Sequence, residues 1–183
     1  MPTFVALLRG INVGKAKRIP MAELREMLGE VGYTGVATLL NSGNAVFQVS
    51  KGTSAKHASE ISAAITSKFQ IEVPVIVKSA KELAAIATEN PFAKDAADHS
   101  RLLIAFVQDA KSLAGLKPLQ HVAVPPEEFV IGKHAAYLHC VSGILESKVG
   151  KALLGKEGKS TTTRNWATVL KLLTLAGETA TGV

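Results

Sequence analysis

The residues best placed to do chemistry lie in Arg9-Gly10-Ile11-Asn12-Val13-Gly14-Lys15-Ala16-Lys17-Arg18. Gly10 and Gly14 free the backbone to turn closely, Arg9 supplies a fork-shaped cation, and Lys15, Lys17 and Arg18 add charge. Helical spacing begins just past Pro20, and unpaired amide N–H groups at a helix start favour negative charge. Such a loop suits recognition of a phosphate or carboxylate; it equally suits a tight turn with solvated lysines. It is not a nucleotide-binding P-loop, because three residues separate Gly10 from Gly14 where four are needed and no Ser or Thr follows Lys15.

Gly155-Lys156-Glu157-Gly158-Lys159-Ser160 fails the same test, with two residues between its glycines and a helix before it. In Thr161-Thr162-Thr163-Arg164-Asn165, Thr162 or Thr163 can cap a last helix while Arg164 and Asn165 project from its positive end. Ser147 and Lys148 fall near the start of another helix, and Asn41, Ser42 and Asn44 sit in a hairpin turn, where asparagine is common for turn reasons alone. The candidate ligand-binding set is therefore Arg9, Asn12, Lys15, Ser42, Asn44, Lys148, Arg164 and Asn165. Donors and cations dominate it, which selects an anion.

Acid–base and metal chemistry find less support. Glu23, Glu26 and Glu30 fall on the polar side of one helix, and Glu127-Glu128 reads as a charged strand start. His134 and His139 are five residues apart around a strand, which points them to opposite faces and gives no shared metal site. Tyr137 and His139 share a face, the one place to look for a proton donor; Cys140 faces the other way and reads as core. No cofactor is expected. The nine aromatic residues are scattered along the chain, unlike the stacking platform of an RNA-recognition motif.

These residues need elements to hold them. Thr3 to Leu8 reads as a strand, Met21 to Val31 as a helix ended by Gly32, and Val36–Leu40 and Ala45–Val49 as a hairpin around Asn41-Ser42-Gly43-Asn44. A helix over Ser54–Phe69 and a strand over Val73–Val77 complete a βαββαβ order, the ferredoxin-like arrangement. A short helix over Lys81–Thr88 leads to a linker at 89–99. Then come a strand (Arg101–Gln108), a short helix (Ser112–Leu119), two strands (Glu128–Ile131, Ala135–Cys140), a helix (Gly143–Leu154) and, from Thr161, a last helix. The expectation is an α+β chain with two tandem ferredoxin-like halves, 1–88 and 100–183, the second without its closing strand. Strands apolar on both faces need cover, so the two sheets are expected to pack together, with the anion site at their seam.

At 183 residues and 47% apolar, the chain can bury a core and is too apolar for disorder. One cysteine allows no internal disulfide and suits a reducing compartment. No secretory signal is legible, and the longest apolar run, Leu102 to Val107, is far below the roughly 20 residues of a membrane helix. A cytoplasmic location without membrane attachment follows as the expectation. The net charge of +6 is compatible with a polyanion such as nucleic acid, bound without sequence specificity, or with solubility alone.

One further pattern spans nearly the whole chain: Leu8-Arg9-Gly10-Ile11-Asn12-Val13-Gly14, Ile19-Pro20-Met21, Ser42-Gly43-Asn44, Tyr137, Gly143, Ser147-Lys148 and Thr163-Arg164-Asn165-Trp166. Together these motifs resemble the bacterial domain-of-unknown-function family 1697. The resemblance implies two ferredoxin-like halves and assigns no activity. Relatives often carry glycine at the position of Lys15 and asparagine at that of Ala167. A small-molecule anion binder, a nucleic-acid binder and a ligand-free protein-interaction module stay open as functions.

Overall fold

Period-two alternation sets the first sheet. The computed structural model describes residues 1–94 and 97–180; Asp95 and Ala96 of the expected linker, and 181–183 of the expected second half, lie outside the described residues. β1 (Thr3–Leu8) sends Phe4, Ala6 and Leu8 into one apolar cluster. α1 (Met21–Glu30) joins it through Leu24, Met27 and Leu28, spaced for one helical face. β2 (Thr34–Leu39) and β3 (Asn44–Gln48) form the hairpin, and α2 (Ser54–Phe69) adds Ala58, Ile61 and Ile65 before β4 (Val75–Ser79). The strand order is β2-β3-β1-β4, every neighbouring pair antiparallel.

Three of the aromatics scattered in sequence, Phe4, Tyr33 and Phe47, cluster in space. Phe47 stacks against Tyr33 at 4.2 Å and against Phe4 at 5.8 Å, and His57 meets all three edge-on. β1 pairs with β3 at Phe4–Phe47, which is why residues 43 apart in the chain meet. All are buried in the cluster beneath the helices, so they form core and not an exposed stacking surface.

α3 (Ala80–Glu89) follows directly from β4 and carries a capping box: Ser79 Oγ accepts from the Glu82 amide while a Glu82 carboxylate oxygen accepts from the Ser79 amide. The second sheet repeats the first. β5 (Leu102–Val107), α4 (Ala110–Ala114), β6 (Glu128–Ile131), β7 (Ala136–His139), α5 (Lys148–Leu154) and β8 (Thr161–Asn165) give the order β6-β7-β5-β8, again antiparallel. Leu103, Ala105 and Val107 pack with Leu138, Phe129, Leu113, Val149 and Leu153 in its core.

Thr161–Asn165 corrects the expectation of a helix from Thr161 and of a missing closing strand. Three consecutive threonines favour extended backbone, because branching at Cβ fits a pleated surface better than a helix. α6 (Trp166–Leu175) starts only after this strand, and its first turn is capped by Asn165, whose Oδ1 accepts from the Thr168 amide at 2.9 Å, not by Thr162 or Thr163. The chain divides into two compact units, one built on Met1–Leu83 and the other on Ala84–Thr174.

Candidate functional site

In the first unit the loop after β1 is held by one side chain. Asn12 has a left-handed φ of 56°, which asparagine tolerates better than most residues. Its Nδ2 donates to Ile19 O at 2.9 Å and to Asn41 O at 2.7 Å, while its Oδ1 accepts from the Ile19 amide at 2.9 Å. This closes the loop and ties it to the hairpin turn. Asn44 fixes that turn from the other side: its Nδ2 donates to Leu39 O and to Ser42 Oγ. Gly43 completes the contact, with φ +94° and a backbone so near Leu8 that an added Cβ would stand 2.6 Å from the Leu8 Cβ.

The result is a cleft of about 270 Å³ lined by Asn12, Arg18, Ile19, Pro20, Met21 and Asn41. It opens at the start of α1, where the residue before the helix is Pro20 and no side chain caps the first amides. Arg18 is exposed and supplies the cation. Of the candidate set, Asn12 lines this cleft, and Ser42 and Asn44 shape the turn that carries Asn41. Arg9 is half-buried at the end of β1, with burial lowering its pKa and its amide donating to Pro74 O at 2.9 Å. Lys15 is exposed on the loop and is not among the cleft residues. Arg18 and Asn41 were absent from the candidate set; the signal for them was adjacency, Arg18 to the helix start and Asn41 to the turn.

In the second unit the candidates have different surroundings. Arg164 lies in β8 opposite Ile104, almost wholly buried, and donates to Thr162 Oγ1 at 2.7 Å and Thr163 O at 2.8 Å. Burial holds its pKa down at about 10. Asn165 is the cap of α6. Lys148 lines a separate cleft of about 270 Å³ in the second unit. Ser147 caps α5, its Oγ accepting from the Gly150 amide at 2.8 Å.

The expected proton-donor face is occupied. The Tyr137 hydroxyl is buried within donation distance of Ile86 O (2.7 Å) and Glu89 Oε2 (2.8 Å), and burial followed by the Glu89 carboxylate pushes its pKa up. Glu89 also accepts from the Lys133 and His134 amides, so it pins the β6–β7 turn. Burial opposes its ionisation, and these donors outweigh that and hold its pKa low. Gly132 is the residue that permits this, since a Cβ there would lie 2.5 Å from a Glu89 oxygen. Cys140 is buried and its thiol donates to Arg101 O at 3.2 Å. Among the described residues no group of three or more His, Cys, Asp or Glu is placed to hold a metal, and no helix is long and apolar enough to cross a membrane.

Two units of one topology, each with a sheet backed by helices, define an α+β protein. Residues 1–137 match the family model described as protein of unknown function (DUF1697), and the chain belongs to that family. The fold is similar to that of a solved structure, the conserved bacterial protein SP0830 from Streptococcus pneumoniae. That likeness has a TM-score of 0.80 at 23% identity and covers 96% of this chain and 98% of the other. No curated protein matches.

Proposed function

We propose that this protein binds a small phosphate- or carboxylate-bearing molecule in the cleft at the start of α1, and that each unit is a ferredoxin-like fold. The observation that carries the binding reading is the conjunction of an uncapped helix start, an exposed arginine and a preformed concavity in one place. The first-turn amides and the helix dipole favour negative charge, and the Arg18 guanidinium can pair with two oxygens of a planar or tetrahedral anion. The Asn12 bridges fix the loop before any ligand arrives, so little ordering cost attends binding. The ferredoxin-like reading is supported by the βαββαβ order with β1 and β5 each flanked by the third and fourth strands of their own unit. This reading uses the first unit alone.

The test is an NMR titration of the full chain with inorganic phosphate and with acetate, at low and at moderate salt. Saturable shifts in the amides of 18, 19, 21–23 and 41, lost in Arg18→Ala, are expected. Because Arg18 is exposed, the variant should stay within about 0.5 kcal/mol of wild-type stability. If those amides stay still while a DNA or RNA duplex produces steeply salt-dependent shifts at Lys15 and Arg18, the loop is a polyanion contact instead and the small-molecule reading fails.

A further inference from the structure

The second unit carries a cleft of about 270 Å³ between the segment leading into β6 and the segment leading into α5. Its apolar walls are Val124, Pro125, Pro126 and Val141; the two valines are 56% and 38% exposed, well above what a packed wall needs. Three charged side chains share this space: Glu127, Glu146 and Lys148. Among the described residues none of the three forms an ion pair, with one another or elsewhere. The Ser142 hydroxyl adds a donor and acceptor.

The walls are held by backbone that is already bonded. Glu127 N donates to Val124 O at 3.0 Å, Gly143 N to Cys140 O at 2.9 Å and Ser147 N to Gly143 O at 3.2 Å, and the Arg101 guanidinium donates to Val141 O. The concavity is thus part of the fold and not a gap between loose loops. Its size, just under the ~300–1,000 Å³ of drug-sized pockets, suits a metabolite of modest bulk.

We propose that this cleft is a second binding site, independent of the one on α1, and that its ligand is a free α-amino acid with an apolar side chain. The chemistry follows from the lining. Two carboxylates and one ammonium leave a net negative charge, which favours an ammonium on the ligand. Lys148 offers a partner for a carboxylate, and the valine and proline walls take an apolar body. A pure anion meets two like charges here, whereas the described residues lining the α1 cleft include no carboxylate.

The experiment is a titration of the full ¹⁵N-labelled chain with three probes: L-phenylalanine, phenethylamine and 3-phenylpropionate. L-Phenylalanine should shift the amides of 124, 127 and 141–148 in a saturable way, phenethylamine should bind more weakly at the same amides, and 3-phenylpropionate should not saturate. Lys148→Met should weaken L-phenylalanine by roughly tenfold, the size of one lost charge-assisted contact, and should tighten phenethylamine, whose ammonium no longer meets a like charge. Glu127→Gln with Glu146→Gln should weaken both amines. These side chains sit at the surface rim, and unchanged spectra away from the cleft establish that the variants fold. The proposal is overturned if 3-phenylpropionate binds as tightly as phenethylamine, or if none of the three probes shifts these amides.

Discussion

Asn12 and Arg164 show how two polar residues from one candidate list come to have different work. Asn12 makes three hydrogen bonds from a left-handed backbone position, and all three serve the loop that frames the α1 cleft. Asn12→Ala should therefore destabilise the protein by about 2–4 kcal/mol, combining lost hydrogen bonds with a residue less suited to positive φ. Asn12→Asp should do no better, because a carboxylate cannot donate to Ile19 O and Asn41 O and would face both carbonyls. Urea unfolding of the two variants checks this; a loss under 1 kcal/mol in both would mean the bridges are incidental. Arg164 is packed inside β8 with its guanidinium on Thr162 and Thr163. Truncating so buried a side chain leaves both a void and unpaired acceptors, so Arg164→Ala should cost about 2–4 kcal/mol in the same measurement.

At the scale of elements, the caps and the strands obeyed different rules of legibility. The helix over Ser54–Phe69 and the strands Thr3–Leu8 and Glu128–Ile131 were readable to the residue, because periodicity and breakers agreed there. β8 was missed because Thr161–Asn165 has no apolar alternation, and its place is set by pairing with β5, which no local pattern encodes. The same misreading moved the cap of α6 from Asn165 to a threonine. Asn165→Ala should lower stability by about 1 kcal/mol, as loss of a helix cap does. By contrast Thr162→Ala would leave that helix start intact. Of the binding residues, the α1 loop was legible from its glycines and cations, Arg18 among them, whereas the convergence of Arg18 with Asn41 on one cleft comes from Asn12 drawing the loop and the hairpin together. The cleft around Glu127 and Glu146 was not legible at all, since these residues lie 19 apart in sequence and converge only through the fold.

Across the whole molecule the two units repeat one another more closely than their sequences do. Lys78 is the fourth residue of β4 and stands opposite Val5, the third residue of β1; Arg164 is the fourth residue of β8 and stands opposite Ile104, the third residue of β5. Both cations are buried, yet Val-Ile-Val-Lys-Ser and Thr-Thr-Thr-Arg-Asn share no residue. Glu82 in the first unit and Glu89 in the second are each held under several donors. Glu82 accepts from Ser54 Oγ and from the Ser79 amide, both at 2.6 Å, and Glu89 accepts from the β6–β7 turn and Tyr137. For both, burial opposes ionisation and the donors outweigh it, so their pKa values lie below the ordinary 4.5. A carboxylate with a depressed folded-state pKa contributes stability that is present above its unfolded value and lost as pH falls through the folded one. Stability should therefore be steady above pH ~5 and fall on further acidification as both latches protonate. Glu82→Gln with Glu89→Gln should lower stability at neutral pH and flatten the acid slope. Glu128→Gln, at an exposed side chain, controls for the general rise in positive charge of a chain already at +6. Melting curves of the three proteins from pH 7 to pH 3 decide the matter. An acid slope equally steep in the double variant and the wild type would place the acid sensitivity outside these two carboxylates, in net charge or in Glu60, Asp98 and Asp109, whose pKa values are also lowered.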